Sequence, residues 1–447
     1  MSKIKYIDTD GVKGALPIAT FGYDAHTDIG RVAVGSINGD VELAKVEDLE
    51  DYVTGTELNS TLLNSVATEE EVDEGINNAK FVTAKTLNYK LRNYNDTSLY
   101  QGAYGLTWDN VNDTYLRVGA NGYTAIQSLM KRCVLNTDGS VNYYLHPTNS
   151  NHKVDGTSAN LDGTDGNVMV EIPKFWVKYN NTTGAKEMWI SAAPAVGYVV
   201  HPAFVKNGVE VDYRYYRAYK GSVSGSTLIS RSGVAAASSE TIAAFRTKAQ
   251  ANGTGWGLVD WHLLHAVQTL LFIEIGTFNS QSVLGDGNAS GSDYGMTTGG
   301  SNSIGNASSP STNDDTWMSY RGIENFYGDI FEWIDGVNFS ERVVYTSNTQ
   351  STFASDVFTG DYTSTGVILP STGYIKDMDF STSGFIPTTS GGSDSTYVPD
   401  YVFSAAGARV AAFGGTADYG LGCGAACLAA SGASSDSSVA VGAGLSF

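Results

Sequence analysis

The chain has 447 residues, a formal net charge of −20 and only 17% charged residues. So large an excess of acid over base leaves no basic footprint for nucleic-acid phosphates and disfavours an anionic membrane surface. Apolar residues make up 42%, which excludes a wholly disordered chain, and 51 glycines with 26 tyrosines favour short strands, turns and polar loops over long helices.

The length suits two or three domains. The opening residues MSKIKYIDTDGVKGALPIA hold no apolar run of signal-peptide type. The longest apolar-rich run, Leu263 to Ile275, carries His265, Gln268 and Glu274 and is too short to span a bilayer. The expectation is a protein made in a cytoplasm, with no membrane insertion. Three cysteines (Cys133, Cys423, Cys427) are too few for a disulfide framework.

Residues 1–45 read as short strands with tight turns, and IGRVAVGSINGDVELAK alternates about Asn38-Gly39 as a hairpin does. Phe21-Gly22-Tyr23-Asp24 followed by Gly30-Arg31-Val32-Ala33-Val34-Gly35 resembles a small N-terminal module of phage tail-fibre proteins. Residues 46–95 turn polar and helical. Thr68 and Glu71 form a capping box for a helix that stops at Gly75, and Thr83 caps a second through Leu91. Their apolar positions are too sparse for a self-sufficient core, which suits burial between copies in a trimeric stalk. Ala67, Thr68, Glu71, Val72, Gly75, Lys80, Phe81, Val82, Thr83, Thr86 and Leu87 also match a recurrent phage tail-fibre segment.

From residue 96 to 447 the chain reads as one mixed α+β domain. Strands are expected over 168–179 and 211–219. Helices are expected over ETIAAFRTKAQANG, ending at Gly253, and over LVDWHLLHAVQTLLFIEIG, with an apolar face at 263, 264, 267, 270, 271 and 275. Residues 279–313 form a Gly/Ser/Asn loop long enough to be functional or mobile.

Several segments of this region resemble, in order, the C-type-lectin-like domain of phage receptor-binding proteins. They include YGLTWDNVNDTYLRVGA, DGNVMVEIPKFWVKY, YRGIENFYGDIFEWIDGVN and the tail GARVAAFGGTADYGLGCGAACLAASGASSDSSVAVGAGLSF. The same broad fold serves formylglycine-generating enzymes and the variable tropism proteins of diversity-generating retroelements. The stretch Trp317 to Gly336 is similar to that fold's hallmark and reads as scaffold. Asn325 and Gly328 suit a tight turn, and Phe326, Ile330, Trp333 and Ile334 suit an apolar stripe. Arg321 suits a bidentate pair with Glu324 or Glu332.

The resemblance implies that the segment after Phe413-Gly414-Gly415 carries the ligand-facing surface. Its scaffold positions are Gly424-Ala425 and Val441-Gly442-Ala443. The expected outward-pointing receptor-binding residues are Thr416, Ala417, Asp418, Tyr419, Leu421, Cys423, Ala426, Cys427, Leu428 and Ala430, with Tyr419 the best anchor. The family usually has Arg near the end where this chain has Gly444.

The enzymes of this fold bind copper through a cysteine pair, which Cys423 and Cys427 bring to mind, but their surrounding arginines are absent here. His262 and His265 stand three apart on a helix without further ligands, as one core-facing and one exposed histidine. Asp-Gly runs such as DGTDGN are expected to be turns rather than calcium loops. The reading is therefore a non-enzymatic phage tail-fibre or receptor-binding protein without a cofactor. It sits in the virion tail as a homotrimer. Its N-terminal region contacts other tail proteins, and its C-terminal domain contacts a host receptor, glycan or protein. The alternatives are a virion decoration protein without host binding and a copper oxidase.

Overall fold

The structure, a computed structural model, describes residues 102–119, 123–291, 293–309 and 316–447 in full, together with the backbone of four strands earlier in the chain. The chain divides into two units, Met1–Asn95 and Asp96–Phe447. In the first, Lys3–Ile7 pairs antiparallel with Lys13–Pro17, and Arg31–Gly35 with Val41–Lys45, where Gly35 faces Val41. The second pairing is the hairpin that the alternation about Asn38-Gly39 signals. The helical linker and its capping box lie outside the described residues.

The second unit is α+β and dominated by strands. A five-stranded antiparallel sheet runs Val199–Val200, Trp176–Thr182, Ala185–Ser191, Tyr104–Asp109, Thr114–Gly119. A seven-stranded sheet has Asn167–Pro173 and Tyr213–Arg217 near its middle. The expected strand over 168–179 is thus two strands in two sheets, broken at Lys174 and Phe175. A nine-stranded sheet contains Phe331–Ser340, Ala408–Phe413, Leu428–Ala430 and Val398–Ser404 as neighbours, and Val441–Ala443 pairs parallel to Phe331–Ser340.

Helix α1 (Ile242–Gln250) starts at Thr241, whose hydroxyl accepts from the Ala244 N–H. Helix α2 (Trp261–Ile275) starts at Asp260, whose carboxylate accepts from the Leu263 N–H, and ends at Gly276 with φ +74°. Every residue of α2 from Trp261 to Ile273 is buried, because the helix touches Tyr104–Asp109, Phe331–Ser340 and Gly384–Ser390 at once. The amphipathic face read from sequence is therefore only one of several buried faces, and two polar residues of α2, Gln268 and Thr269, find partners inside. Gln268 Nε2 donates to the Ala425 carbonyl at 2.7 Å, and Thr269 Oγ1 donates to the His265 carbonyl at 2.9 Å.

His262 and His265 are both buried, which corrects the expectation of one exposed histidine. His265 Nδ1 lies 3.1 Å from Nε2 of a third buried histidine, His201. His201 Nδ1 accepts from the Ala203 N–H, so its proton sits on Nε2 and His265 Nδ1 is the acceptor. The remaining His265 N–H has no polar partner and sits beside the Phe385 ring, centroids 4.4 Å apart at 78°. No helix of the described residues is long and apolar enough to cross a membrane.

Candidate functional site

The aromatic, charged stretch Trp317 to Gly336 is pinned by its own acids. It forms a two-stranded ribbon, Ser319–Tyr320 with Ile323–Glu324, then a turn with Asn325 at φ +46° and Gly328 at φ +76°, then the long strand Phe331–Ser340. Glu324 accepts from the Gly299 and Ser301 N–H groups at 2.7 Å each, and Asp329 from those of Gly295 and Met296 at 2.9 Å each. These two carboxylates fix the Gly/Ser/Asn segment, which also contains helix α3 (Ser280–Leu284) and so is no uniform loop.

Arg321 pairs with Glu274 at the end of α2, Nε to Oε1 3.0 Å, instead of with Glu324 or Glu332. Glu324 is committed to the loop, and Glu332 to Arg217. The expected partner for the buried Trp333 indole is the Glu240 carbonyl, at 3.1 Å. With each of these acids serving a neighbouring element, the charged residues of the stretch are scaffold.

The tail departs from the expectation. Thr416, Ala417, Cys423, Ala426, Cys427, Leu428 and Ala430 are all buried; only Asp418, Tyr419 and Leu421 are exposed. The reason is topological. Leu428–Ala430 is an interior strand hydrogen-bonded on both sides, parallel to Val398–Ser404 and antiparallel to Ala408–Phe413. The turn before it folds over its own cysteines. Cys423 Sγ donates to the Thr416 carbonyl at 3.0 Å, and the Ala426 N–H donates at 2.6 Å to the buried Asp400 carboxyl. Small residues allow these close approaches, so the run of Gly and Ala marks a tightly packed turn that leads into an interior strand.

Burial, reinforced by Asp400, pushes the Cys423 thiol up to about 12, and burial pushes the Cys427 thiol well above its ordinary value. Thiols held protonated in this way are poor nucleophiles, and the Cys423 S–H is committed to the Thr416 carbonyl.

What the tail does build is a cavity of about 220 Å³. Its aromatic lining residues are Phe331, Trp333, Phe403 and Tyr419, and Asp436 lines it together with Ser431, Ser437 and Ser438. Phe331 and Trp333 project from the same face of one strand, two residues apart, and Phe403 comes from the neighbouring strand Val398–Ser404. Tyr419 closes the group from the turn, 38% exposed, with its ring 5.4 Å from Phe331 and 5.2 Å from Phe403.

Of the ten residues expected to bind, only Tyr419 lines this cavity; Phe331, Trp333, Phe403 and Asp436 were not anticipated. Their signal was the i, i+2 aromatic pair at 331 and 333, which a reading of the stretch as pure scaffold passed over. A second cavity, about 330 Å³, lies between Asn110 and Lys376. Its only aromatic ring is Tyr397, Asp377 on its wall is tied to Lys186 at 2.7 Å, and the tail contributes nothing to it.

The first cavity is therefore the candidate site, since it joins concavity, exposed aromatic surface and a few polar groups. The sequence matches no protein-family model and no curated protein.

Proposed function

We propose that this chain is a phage tail-fibre or receptor-binding protein that recognises the host cell surface by non-covalent contact. Its domain from residue 96 onward, of C-type-lectin-like type, presents the aromatic cavity and the Tyr419 turn to the receptor. The N-terminal region joins other tail proteins and assembles a homotrimer, so three weak sites act together and avidity replaces single-site affinity. Synthesis is cytoplasmic, and the working location is the virion tail. The observation that carries this reading is that the segment after Phe413-Gly414-Gly415, which resembles the family's ligand-facing segment, helps to line a cavity together with the half-exposed Tyr419.

A decoration protein without host contact is the second reading, favoured by the burial of seven tail residues. Binding of fluorescently labelled full-length protein to a panel of bacterial strains separates them. Under the first reading some strains bind, and Tyr419→Ala or Leu421→Asp abolishes binding while the melting temperature holds. Absence of binding to every strain, or binding indifferent to both substitutions, removes the receptor reading.

A further inference from the structure

We propose that the aromatic cavity takes an organic cation, an alkylated ammonium group of the choline type. This deepens the receptor-binding reading and rests on the same cavity. Four aromatic side chains line it, and among the described residues the only charged group lining the space is the Asp436 carboxylate, with no Lys or Arg. The chain's net charge of −20 adds a long-range field of the same sign. An anionic ligand would meet a carboxylate and no cation.

Ring geometry separates a cation from a sugar. Phe331 stands at 78° to Tyr419 and at 86° to Phe403, and Tyr419 and Phe403 are tilted by 36° to each other, so no two of the three rings are coplanar and Phe331 makes a corner with the other two. A pyranose needs one flat face to stack on, whereas a compact, nearly spherical alkylammonium touches several rings at once and is attracted to each ring's quadrupole. Asp436 is held for this role, because its Oδ2 accepts from the Ala433 N–H at 2.8 Å. Gly432 keeps the space open. A Cβ there would lie 3.4 Å from the Trp333 ring tip and 3.6 Å from Asp436 Oδ2, and the backbone there is not left-handed, so a side chain at 432 enters the cavity without straining the fold.

The test titrates the full-length protein, at constant ionic strength, with choline chloride, with tetramethylammonium chloride, and with 3,3-dimethylbutanol, which has the shape of choline without its charge. Methyl glycosides of neutral hexoses form a fourth arm. Saturation-transfer NMR and calorimetry are the readouts. Both cations should bind, with the uncharged analogue about tenfold weaker. Asp436→Asn should weaken the cations several-fold and leave the analogue alone. Tyr419→Ala and Gly432→Val should each abolish cation binding at unchanged melting temperature.

Equal affinity for choline and its neutral analogue, or binding of a methyl glycoside in place of choline, overturns the proposal. If choline fails to bind while Tyr419→Ala still abolishes cell binding, the cation inference falls and the receptor reading stands. If choline binds but Tyr419→Ala leaves cell binding intact, the receptor reading falls alone.

Discussion

Arg217 Nε donates to both carboxylate oxygens of Glu332 at 2.8 Å each, and both side chains are sealed from solvent. The remaining guanidinium nitrogens donate to the Glu324 and Asn325 carbonyls at 2.7 and 2.9 Å, so this one ion pair also fixes the turn of the scaffold stretch. It explains Gly444. A Cβ at that position would lie 2.0 Å from Glu332 Oε1 and 2.5 Å from Arg217 Cδ. Arg217, from the strand Tyr213–Arg217, and Glu332 fill the space that a side chain at 444 would need.

Arg217→Met should therefore cost about 3–5 kcal/mol, because it takes from a buried carboxylate the partner that hydrogen-bonds it and leaves only the Lys220 ammonium, 3.8 Å away. Gly444→Ala should cost about 1–3 kcal/mol by overpacking against the same pair. Replacing both ionic partners, Arg217→Met with Glu332→Leu, should recover much of the loss. Urea denaturation of the three variants measures this; if Arg217→Met lay within 1 kcal/mol of wild type, taken as roughly the scale of an ordinary surface change, the pair would not be the anchor described.

Asp260 serves two groups at once: it caps α2 through the Leu263 N–H at 2.9 Å and accepts from Arg214 Nη2 at 2.6 Å. Asp260→Ala should lose about 1 kcal/mol for the cap and a further ~3–5 kcal/mol for the buried Arg214 left unpaired. Asp260→Asn can keep the cap through its amide oxygen but loses the acceptor for Arg214, so it should lie between wild type and Asp260→Ala in denaturant midpoint.

Helix α2 was legible in the sequence for the same local reasons. Aspartate before an apolar run starts it, glycine stops it, and fifteen residues of helical spacing lie between. The strand ends of the first unit were legible from alternation. Pairings were not. Arg321 finds Glu274 across 47 positions and Arg217 finds Glu332 across 115, and nothing in local spacing encodes such contacts. Burial of the tail was equally hidden. Gly and Ala run together without a period of 2 or 3.6, so the segment from Thr416 to Ala430 gives no sign of which way it faces.

The three core histidines make stability fall on acidification. Burial, opposed by Asp260 and reinforced by Arg214, lowers His262 to about 4; burial lowers His201 and His265 well below the ordinary histidine value. A histidine depressed in the folded state binds its proton first in the unfolded chain. Its contribution is whole above pH 6.5 and is lost as pH falls toward the folded value. For His262 the loss is about 1.4 kcal/mol per pH unit, or ~3 kcal/mol in all by pH 4. His262→Leu should flatten the pH dependence of unfolding free energy by one proton between pH 6.5 and 4. At pH 7 it should cost little, because the Nδ1 it removes has no hydrogen-bond partner. An unchanged slope would mean that His262 titrates normally in the fold.

Asp400 works in the opposite sense, beneath the tail that carries Tyr419. Its carboxyl is buried, and desolvation raises it well above the ordinary aspartate value despite the Ala426 N–H that favours its ionised form. Gly424, at φ +154°, leaves the room, since a Cβ there would sit 2.1 Å from Asp400 Oδ1. An acid raised in the fold holds its proton longer than the unfolded chain does. Stability is therefore full below about pH 4 and declines by about 1.4 kcal/mol per unit as pH rises toward the folded value. Asp400→Asn keeps an oxygen acceptor for the Ala426 N–H and cannot ionise. Its stability relative to wild type should grow steadily from pH 4 upward, while Gly424→Ala should be destabilised at every pH. A constant difference between Asp400→Asn and wild type across pH 4 to 8 would show that the carboxyl ionises in place, and that the turn bearing Tyr419 stands on a charge.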